Sequence, residues 1–166
     1  GDAASVGLTG LPDDDGPEAD DHDVLVLPGD MPLLRPSTIA SLVEEHRSSG
    51  AACTVLTARV PDPGSYGRVV RGKDDQVVKI VERVDATPEE VLIDEINTSV
   101  YCFRRSVLAP ALRRVTPDNN QGEYYLTDVV AVLREAGYRV SAHVVADAAE
   151  GEGINDRLQL AAAEAE

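Results

Sequence analysis

The sequence predicts an α/β sandwich built on a mainly parallel sheet. Two observations carry this. Val24 to Leu27 is a continuous apolar run between an acidic stretch and Pro28-Gly29, and a strand apolar on both faces belongs in the middle of a covered sheet. A helix-period segment then leads into the β-branched run Ala51 to Val60, which makes a strand–helix–strand unit of about 35 residues.

Pro36 suits the first turn of that helix, Ile39, Leu42, Val43 and His46 recur at helical spacing, and Gly50 supplies a stop. Pro61 to Gly64 breaks the pattern. Val69-Val70 and Val77 to Val81 read as short antiparallel strands joined by a turn at Gly72 to Asp75. Thr87-Pro88-Glu89-Glu90 has a capping Thr, a Pro at the first position and acids beside the positive end of the dipole, which together start a helix. Ile96 to Phe103 is a strand. Ser106 to Val115 is helical, with Pro110 expected to kink or shorten it. Thr127 to Ala136 presents Val129, Val130 and Leu133 on one face, Tyr138 to Val145 is a strand, and Asn155 to Ala165 closes the chain as a helix.

The 166 residues suffice for one domain with a real core. Thirty acids against fifteen Lys and Arg give a net charge of −15, a field that repels nucleic acid and anionic lipid. Any phosphate-bearing ligand would need a divalent cation or aimed Arg side chains to offset it. Asp13, Asp14, Asp15, Glu18, Asp20, Asp21 and Asp23 crowd one stretch that reads as a solvated loop, because like charges this dense repel one another. No apolar run is long enough to span a bilayer and no signal peptide is visible, although the chain begins with Gly1 rather than Met. Cys53 and Cys102 lack CxxC spacing, so the pair suggests neither a zinc site nor a disulfide and fits buried thiols in a reducing cytoplasm. His22, His46 and His143 show no paired spacing for metal or triad chemistry.

Open α/β sheets bind ligands at the carboxyl ends of their strands. Asp30 falls there, on a turn where Gly29 allows close backbone approach and Pro32 fixes the exit. A carboxylate in that place is either a turn former or a hard-metal ligand, and spacing leaves the two readings level. Mg²⁺ takes oxygen ligands and often only one or two from protein, so a lone Asp is compatible with it.

The run Val24-Leu25-Val26-Leu27-Pro28-Gly29-Asp30-Met31-Pro32-Leu33-Leu34 resembles the strand and metal-binding turn of sugar-phosphate nucleotidyltransferases. Further segments narrow the likeness: Tyr66-Gly67-Arg68, Ile80-Val81-Glu82 leading to Asp85-Ala86-Thr87, Glu95-Ile96-Asn97-Thr98, Asn120 to Asp128, and Gly153 to Leu160. In this order they are similar to the uridylyltransferase domains of bifunctional UDP-N-acetylglucosamine pyrophosphorylase/glucosamine-1-phosphate N-acetyltransferases. The resemblance covers essentially the whole chain. It implies the three-layer, Rossmann-like nucleotide-diphospho-sugar transferase fold, with residues 1–166 forming the sugar-phosphate and metal half of one domain. It also implies that Asp30 and Asn155 hold a catalytic Mg²⁺. Pro28 and Gly29 would belong to the substrate-binding turn, Gly67 would present its backbone to the sugar, and Glu82 and Asn97 would hydrogen-bond the GlcNAc hydroxyls and N-acetyl group. The implied substrates are UTP and N-acetylglucosamine-1-phosphate and the product is UDP-N-acetylglucosamine, a cell-envelope precursor. The attacking phosphate would displace pyrophosphate in line, with no covalent enzyme intermediate.

Some features depart from that pattern. The family's Gly-rich, Arg-containing loop and phosphate-contacting Lys have no counterpart, Gly1-Asp2-Ala3-Ala4 resembles the helix just downstream, and no hexapeptide repeats follow Gly153. The expectation is a fragment that lacks the first βα unit, has little activity alone and exposes an apolar sheet edge. Family members often trimerise through the β-helix of those repeats. Met31 stands where Thr or Val is usual, and Ser99 replaces the usual Gly after Asn97-Thr98. Two alternatives stand beside the main reading: another hexose-1-phosphate nucleotidyltransferase, and a noncatalytic sugar-nucleotide-binding remnant.

Overall fold

A computed structural model describes residues 1–11, 22–154 and 156–164, apart from the side chains of Leu158 and Ala162. Asp13, Asp14, Asp15, Glu18, Asp20, Asp21 and the expected ligand Asn155 lie outside the described residues. The elements run α1 (Asp2–Thr9), β1 (Asp23–Val26), α2 (Pro36–Ser49), β2 (Cys53–Arg59), β3 (Arg68–Arg71), β4 (Val77–Val81), α3 (Pro88–Val91), β5 (Glu95–Arg104), α4 (Arg105–Leu112), α5 (Asp128–Glu135), β6 (Val140–Val144) and α6 (Arg157–Ala163). A 3₁₀ turn at Ala148–Gly151 was not foreseen from the sequence.

The local signals act as their chemistry requires. Pro36 takes the first position of α2 and Gly50 ends it in the left-handed region at φ 62°. Thr87 and Glu90 close a full capping box, with each side chain accepting from the other's backbone N–H, although α3 makes only one turn. α4 accommodates Pro110 near its end and still buries Val107, Leu108 and Ala111. α5 buries Val129, Val130 and Leu133, the face that the periodicity predicts.

The sheet has six strands in the order β4-β3-β5-β2-β6, and β1 also pairs with β5. β5 is the long central strand. β2 runs antiparallel along one edge of it, while β3 meets Ile96 and β1 meets Tyr101 to Arg104 on the other. Because β1 and β2 are both antiparallel to β5, they share a direction with β6 and β3, the parallel component that the sequence predicts. Only β2 and β6 are hydrogen-bonded in parallel. The strand–helix–strand unit is therefore real, with β5 inserted between its two strands.

β1 requires a correction. Rather than lying mid-sheet, it has β5 as its one partner among the described residues, and Leu25 is 39% and Leu27 46% exposed. Its open side faces α1, and the two enclose an apolar groove lined by Ala4, Leu8, Val24 and Leu27 among others. A continuous apolar run signals that burial is wanted but not which edge of which strand provides it.

Helices cover both faces. On one face Val107, Leu108, Val129, Val130 and Leu133 pack on Val55, Tyr101 and Phe103, whose rings stack at 5.5 Å. On the other, Leu42 and Met31 pack on Leu56, Ile96, Val100 and Cys102. The strands β2, β3 and β5 are also tied by a buried acid. Glu95 accepts from Arg71 at 2.6 and 2.8 Å, from the Thr57 hydroxyl at 2.7 Å and from Arg59 at 3.3 Å.

Candidate active site

β1 ends at the turn that carries Pro28, Gly29 and Asp30. A Cβ at Gly29 would meet nothing within 4 Å, so the backbone there is open to an incoming group. Met31 turns inward and is 9% exposed among Leu42, Leu56 and Ile96, which anchors the turn and leaves the Asp30 carboxylate exposed. The Asp30 carbonyl oxygen accepts from the backbone N–H of Ile154 at 2.8 Å.

That contact belongs to a stitched segment. Glu150, 4% exposed, accepts from the Thr38 hydroxyl and the Arg35 backbone N–H and pairs with the Arg35 guanidinium at 3.3 Å. A Cβ on Gly151 would stand 2.8 Å from Thr98 Cγ2, so only glycine lets this turn lie flat on β5. Gly153 N–H then donates to the Tyr66 hydroxyl at 3.1 Å. Residues 153–154 thus bridge the Asp30 turn and the Tyr66-Gly67 corner, which places the backbone just before Asn155 between the two.

Gly67, Glu82 and Asn97 come together. With Ser65, Tyr66 and Ser99 they line a polar cavity of about 230 Å³, and Gln159 also borders it. The Gly67 carbonyl accepts from Asn97 N–H at 2.9 Å. A Cβ on Gly67 would lie 3.3 Å from Ile80 Cγ2 and 3.5 Å from Glu82 Oε2, inside the space the cavity needs. Asn97, 4% exposed, accepts from Ser99 N–H at 3.1 Å, and its side chain also bonds Tyr101. Glu82 Oε1 accepts from the Thr127 hydroxyl at 3.0 Å. Burial pushes the Glu82 carboxyl above its usual range, against the pull of the Thr127 bond and with help from nearby Asp128 and Asp85. A carboxyl held toward its neutral form can face a sugar hydroxyl without adding full charge beside a phosphate. Asp30 is not among the described residues lining this cavity, and residues 153–154 link its turn to Tyr66, which does line it.

Sequence reasoning left some of these parts without a role. Arg68, 2% exposed, donates to the carbonyls of Gly64 at 3.1 Å, of Pro63 at 3.4 Å and of Tyr66, so it folds the loop that sets Gly67 in place. Tyr66 supplies the acceptor for Gly153. Their membership of one tripeptide with Gly67 was the available signal. Ser99 sits at φ 64°, in the left-handed region, beside a register shift between β2 and β5. Backbone geometry therefore accounts for glycine at this position in the pattern the chain resembles. Among the described residues, one group of three metal-ligating side chains converges, and it is Asp23, His46 and Cys102 rather than any set containing Asp30.

Comparison with known proteins shows the family and the fold. The sequence profile described as nucleotidyl transferase matches residues 13–149. The chain belongs to the nucleotidyl transferase family. Relatives include the "Bifunctional protein GlmU" of Geobacter metallireducens, 51% identical over 140 residues, which is 84% of this chain and 29% of that protein. The protein of the same name from Corynebacterium aurimucosum is 48% identical over 163 residues, or 98% of this chain and 32% of the relative. That from Lactobacillus gasseri is 49% identical over 143 residues, 86% and 31%. The chain thus spans about a third or less of the length of these relatives. A solved structure of CMP:2-keto-3-deoxy-manno-octonic acid synthetase complexed with CTP shares the fold at a TM-score of 0.64 and 17% identity, covering 99% of this chain and 66% of that one. The fold of that synthetase is therefore shared by this chain. No helix is long and apolar enough to cross a membrane.

Proposed function

We propose that the chain is the sugar-phosphate side of a UDP-N-acetylglucosamine diphosphorylase, which transfers uridylyl from UTP to N-acetylglucosamine-1-phosphate and releases pyrophosphate. The convergence of Gly67, Glu82 and Asn97 on one polar cavity carries this reading, and the GlmU relatives at about half identity support it. In this reading Asn97 and Glu82 pair with the N-acetyl and hydroxyl groups of the sugar. A sugar without those groups would leave buried polar atoms unpaired, a penalty that gives selectivity. Gly67 keeps the cavity open on one side, and Tyr66 with Arg68 holds its backbone in place.

Asp30 fits a hard divalent cation because its carboxylate is exposed at a strand end beside open backbone. Mg²⁺ held by Asp30, with Asn155 as second ligand, would supply charge neutralisation for the transferring phosphoryl group. The protein's own task is to orient the sugar phosphate toward that carboxylate, through the hydrogen bonds from residues 153–154 to Asp30 and Tyr66. The expected cellular role is cell-envelope precursor synthesis in the cytoplasm, and any homo-oligomer would be a property of the longer protein.

Calorimetric titration of the 166-residue chain with UDP-N-acetylglucosamine and with UDP-glucose, each with and without Mg²⁺, tests the reading. Mg²⁺-dependent binding with at least about a tenfold preference for the N-acetyl sugar is expected, the size of one lost buried hydrogen bond. Equal binding of the two sugars would reject the substrate, and no binding of either would reject the site.

A further inference from the structure

We infer that Asp23, His46 and Cys102 form a second cation site, suited to zinc-type divalent ions, in which one carboxylate oxygen, one imidazole nitrogen and one thiolate share the ion. The residues come from three elements: Asp23 opens β1, His46 lies in the last turn of α2, and Cys102 lies in β5. Their ligand atoms all fall within 4.8 Å of one another. His46 is 2% and Cys102 0% exposed, and the Asp23 side chain is 15% exposed.

Arg47 and Thr54 bond the outward atoms of the group, while His46 and Asp23 bond each other across its inward side. Arg47 Nε donates to Asp23 Oδ2 at 2.8 Å, so Oδ1 is the oxygen turned toward His46, with 3.3 Å between it and Nε2. His46 Nδ1 lies 2.9 Å from the Thr54 hydroxyl. When Nδ1 carries the proton and donates it to Thr54, Nε2 presents a lone pair to Oδ1, and the Cys102 sulfur adds a third electron-pair donor. In that tautomer no proton lies between Nε2 and Oδ1, and a cation takes the place that the proton holds when the two residues hydrogen-bond each other. Nitrogen and oxygen ligands at about 2.0–2.1 Å from a tetrahedral zinc stand about 3.3–3.4 Å apart, which is the spacing found here. Thr54 then orients the imidazole from outside, as the partners of metal-bound histidines do.

Ligand chemistry separates this site from the Asp30 turn. A thiolate with an imidazole selects zinc-type ions and does not suit Mg²⁺, which prefers oxygen. Binding forms the sulfur–metal bond and releases the thiol proton to solvent. The nearby guanidinium groups have acceptors of their own: Arg47 pairs with Asp23, and Arg104 donates to the Gly50 carbonyl at 3.2 Å. A cavity of about 400 Å³, bordered by His22, Asp23, Arg47 and Arg105, opens on the Asp23 side and gives an ion its approach. The ion would fasten the start of β1 to α2 and β5, and the other end of β1 delivers Asp30.

Co²⁺ serves as the probe, added to the purified 166-residue chain both in its native state and during refolding, in buffer free of chelators and thiols. One equivalent should bind with a thiolate-to-cobalt charge-transfer absorption that Zn²⁺ abolishes and Mg²⁺ does not. Cys102→Ala should remove the band. Cys53→Ala should keep it, because Cys53 packs on the opposite face of the sheet. Asp23→Asn retains shape and should weaken the Co²⁺ binding read from that band by at least about tenfold, the lower end of what even an outer-shell loss costs. Circular dichroism confirms that each variant is folded. No charge-transfer band in either wild-type preparation, a band that survives Cys102→Ala, or unchanged affinity in Asp23→Asn would overturn the assignment and leave Asp23 and His46 as a simple hydrogen-bonded pair.

Discussion

The backbone N–H of Ile154 donates to the carbonyl oxygen of Asp30 at 2.8 Å, joining the end of the closing segment to the turn after the first strand. One residue earlier, Gly153 N–H donates to the Tyr66 hydroxyl at 3.1 Å. Two adjacent amides thus fasten both halves of the candidate site. Tyr66→Phe keeps the ring and removes the acceptor, so it should cost about 1 kcal/mol of stability in urea unfolding. It should also weaken sugar-nucleotide binding, and unchanged affinity would separate residues 153–154 from the site.

Asp30→Ala should leave stability within about 0.5 kcal/mol, because the carboxylate is exposed and its structural contact is made by the backbone. The Mg²⁺-dependent part of nucleotide-sugar binding should vanish. Calorimetry with and without Mg²⁺ checks both halves of this expectation.

Gly67→Ala puts a methyl group 3.3 Å from Ile80 Cγ2 and 3.5 Å from Glu82 Oε2. The tight contact with Ile80 should cost about 1 kcal/mol, and binding of N-acetylglucosamine-1-phosphate should fall at least about tenfold as the methyl group takes up space in the cavity. A loss of stability with full binding would make Gly67 a fold residue only.

Ser99→Gly relieves a left-handed backbone at φ 64° and so should stabilise the protein. The gain is about 0.5–1 kcal/mol after the entropy that glycine loses on folding. A shift of the thermal midpoint upward is the expected result.

Glu95 gives the pH dependence a sign. Burial alone would raise its carboxyl, but the hydrogen bonds from Arg71 and Thr57 and the Arg71 and Arg59 charges outweigh it and hold the group below its usual range. The folded state therefore binds fewer protons there than the unfolded chain does. Its stabilisation is full above the unfolded value near about 4.3 and fades as pH falls through the lowered folded value. Glu95→Gln should cost about 3 kcal/mol at pH 7, because Arg71 loses its buried partner. The gap between variant and wild type should narrow in urea unfolding below about pH 4.

Much of the architecture was legible from short-range chemistry. Pro36 and Gly50 bound α2, Thr87 and Glu90 cap α3, and the spacing of Val129, Val130 and Leu133 shows which face of α5 is buried. These signals act over a turn or two, within reach of neighbouring residues. The place of β1 was not legible, because an apolar run reads alike in a central strand and in a strand with one paired edge. Ser99 was visible as an unusual residue, and its cause appeared only in the backbone angle.

By itself the sequence determined the element order, the α/β class and the residue types at the strand ends, Asp30, Gly67, Glu82 and Asn97 among them. Only the tertiary structure decided that Gly67, Glu82 and Asn97 share a cavity and that Ile154 closes on Asp30. It also set Cys102, whose spacing suggested no metal, beside His46 and Asp23. The reason is physical: helix and turn preferences are local free energies, whereas the pairing of β5 between β1 and β2 brings distant residues within reach of one another.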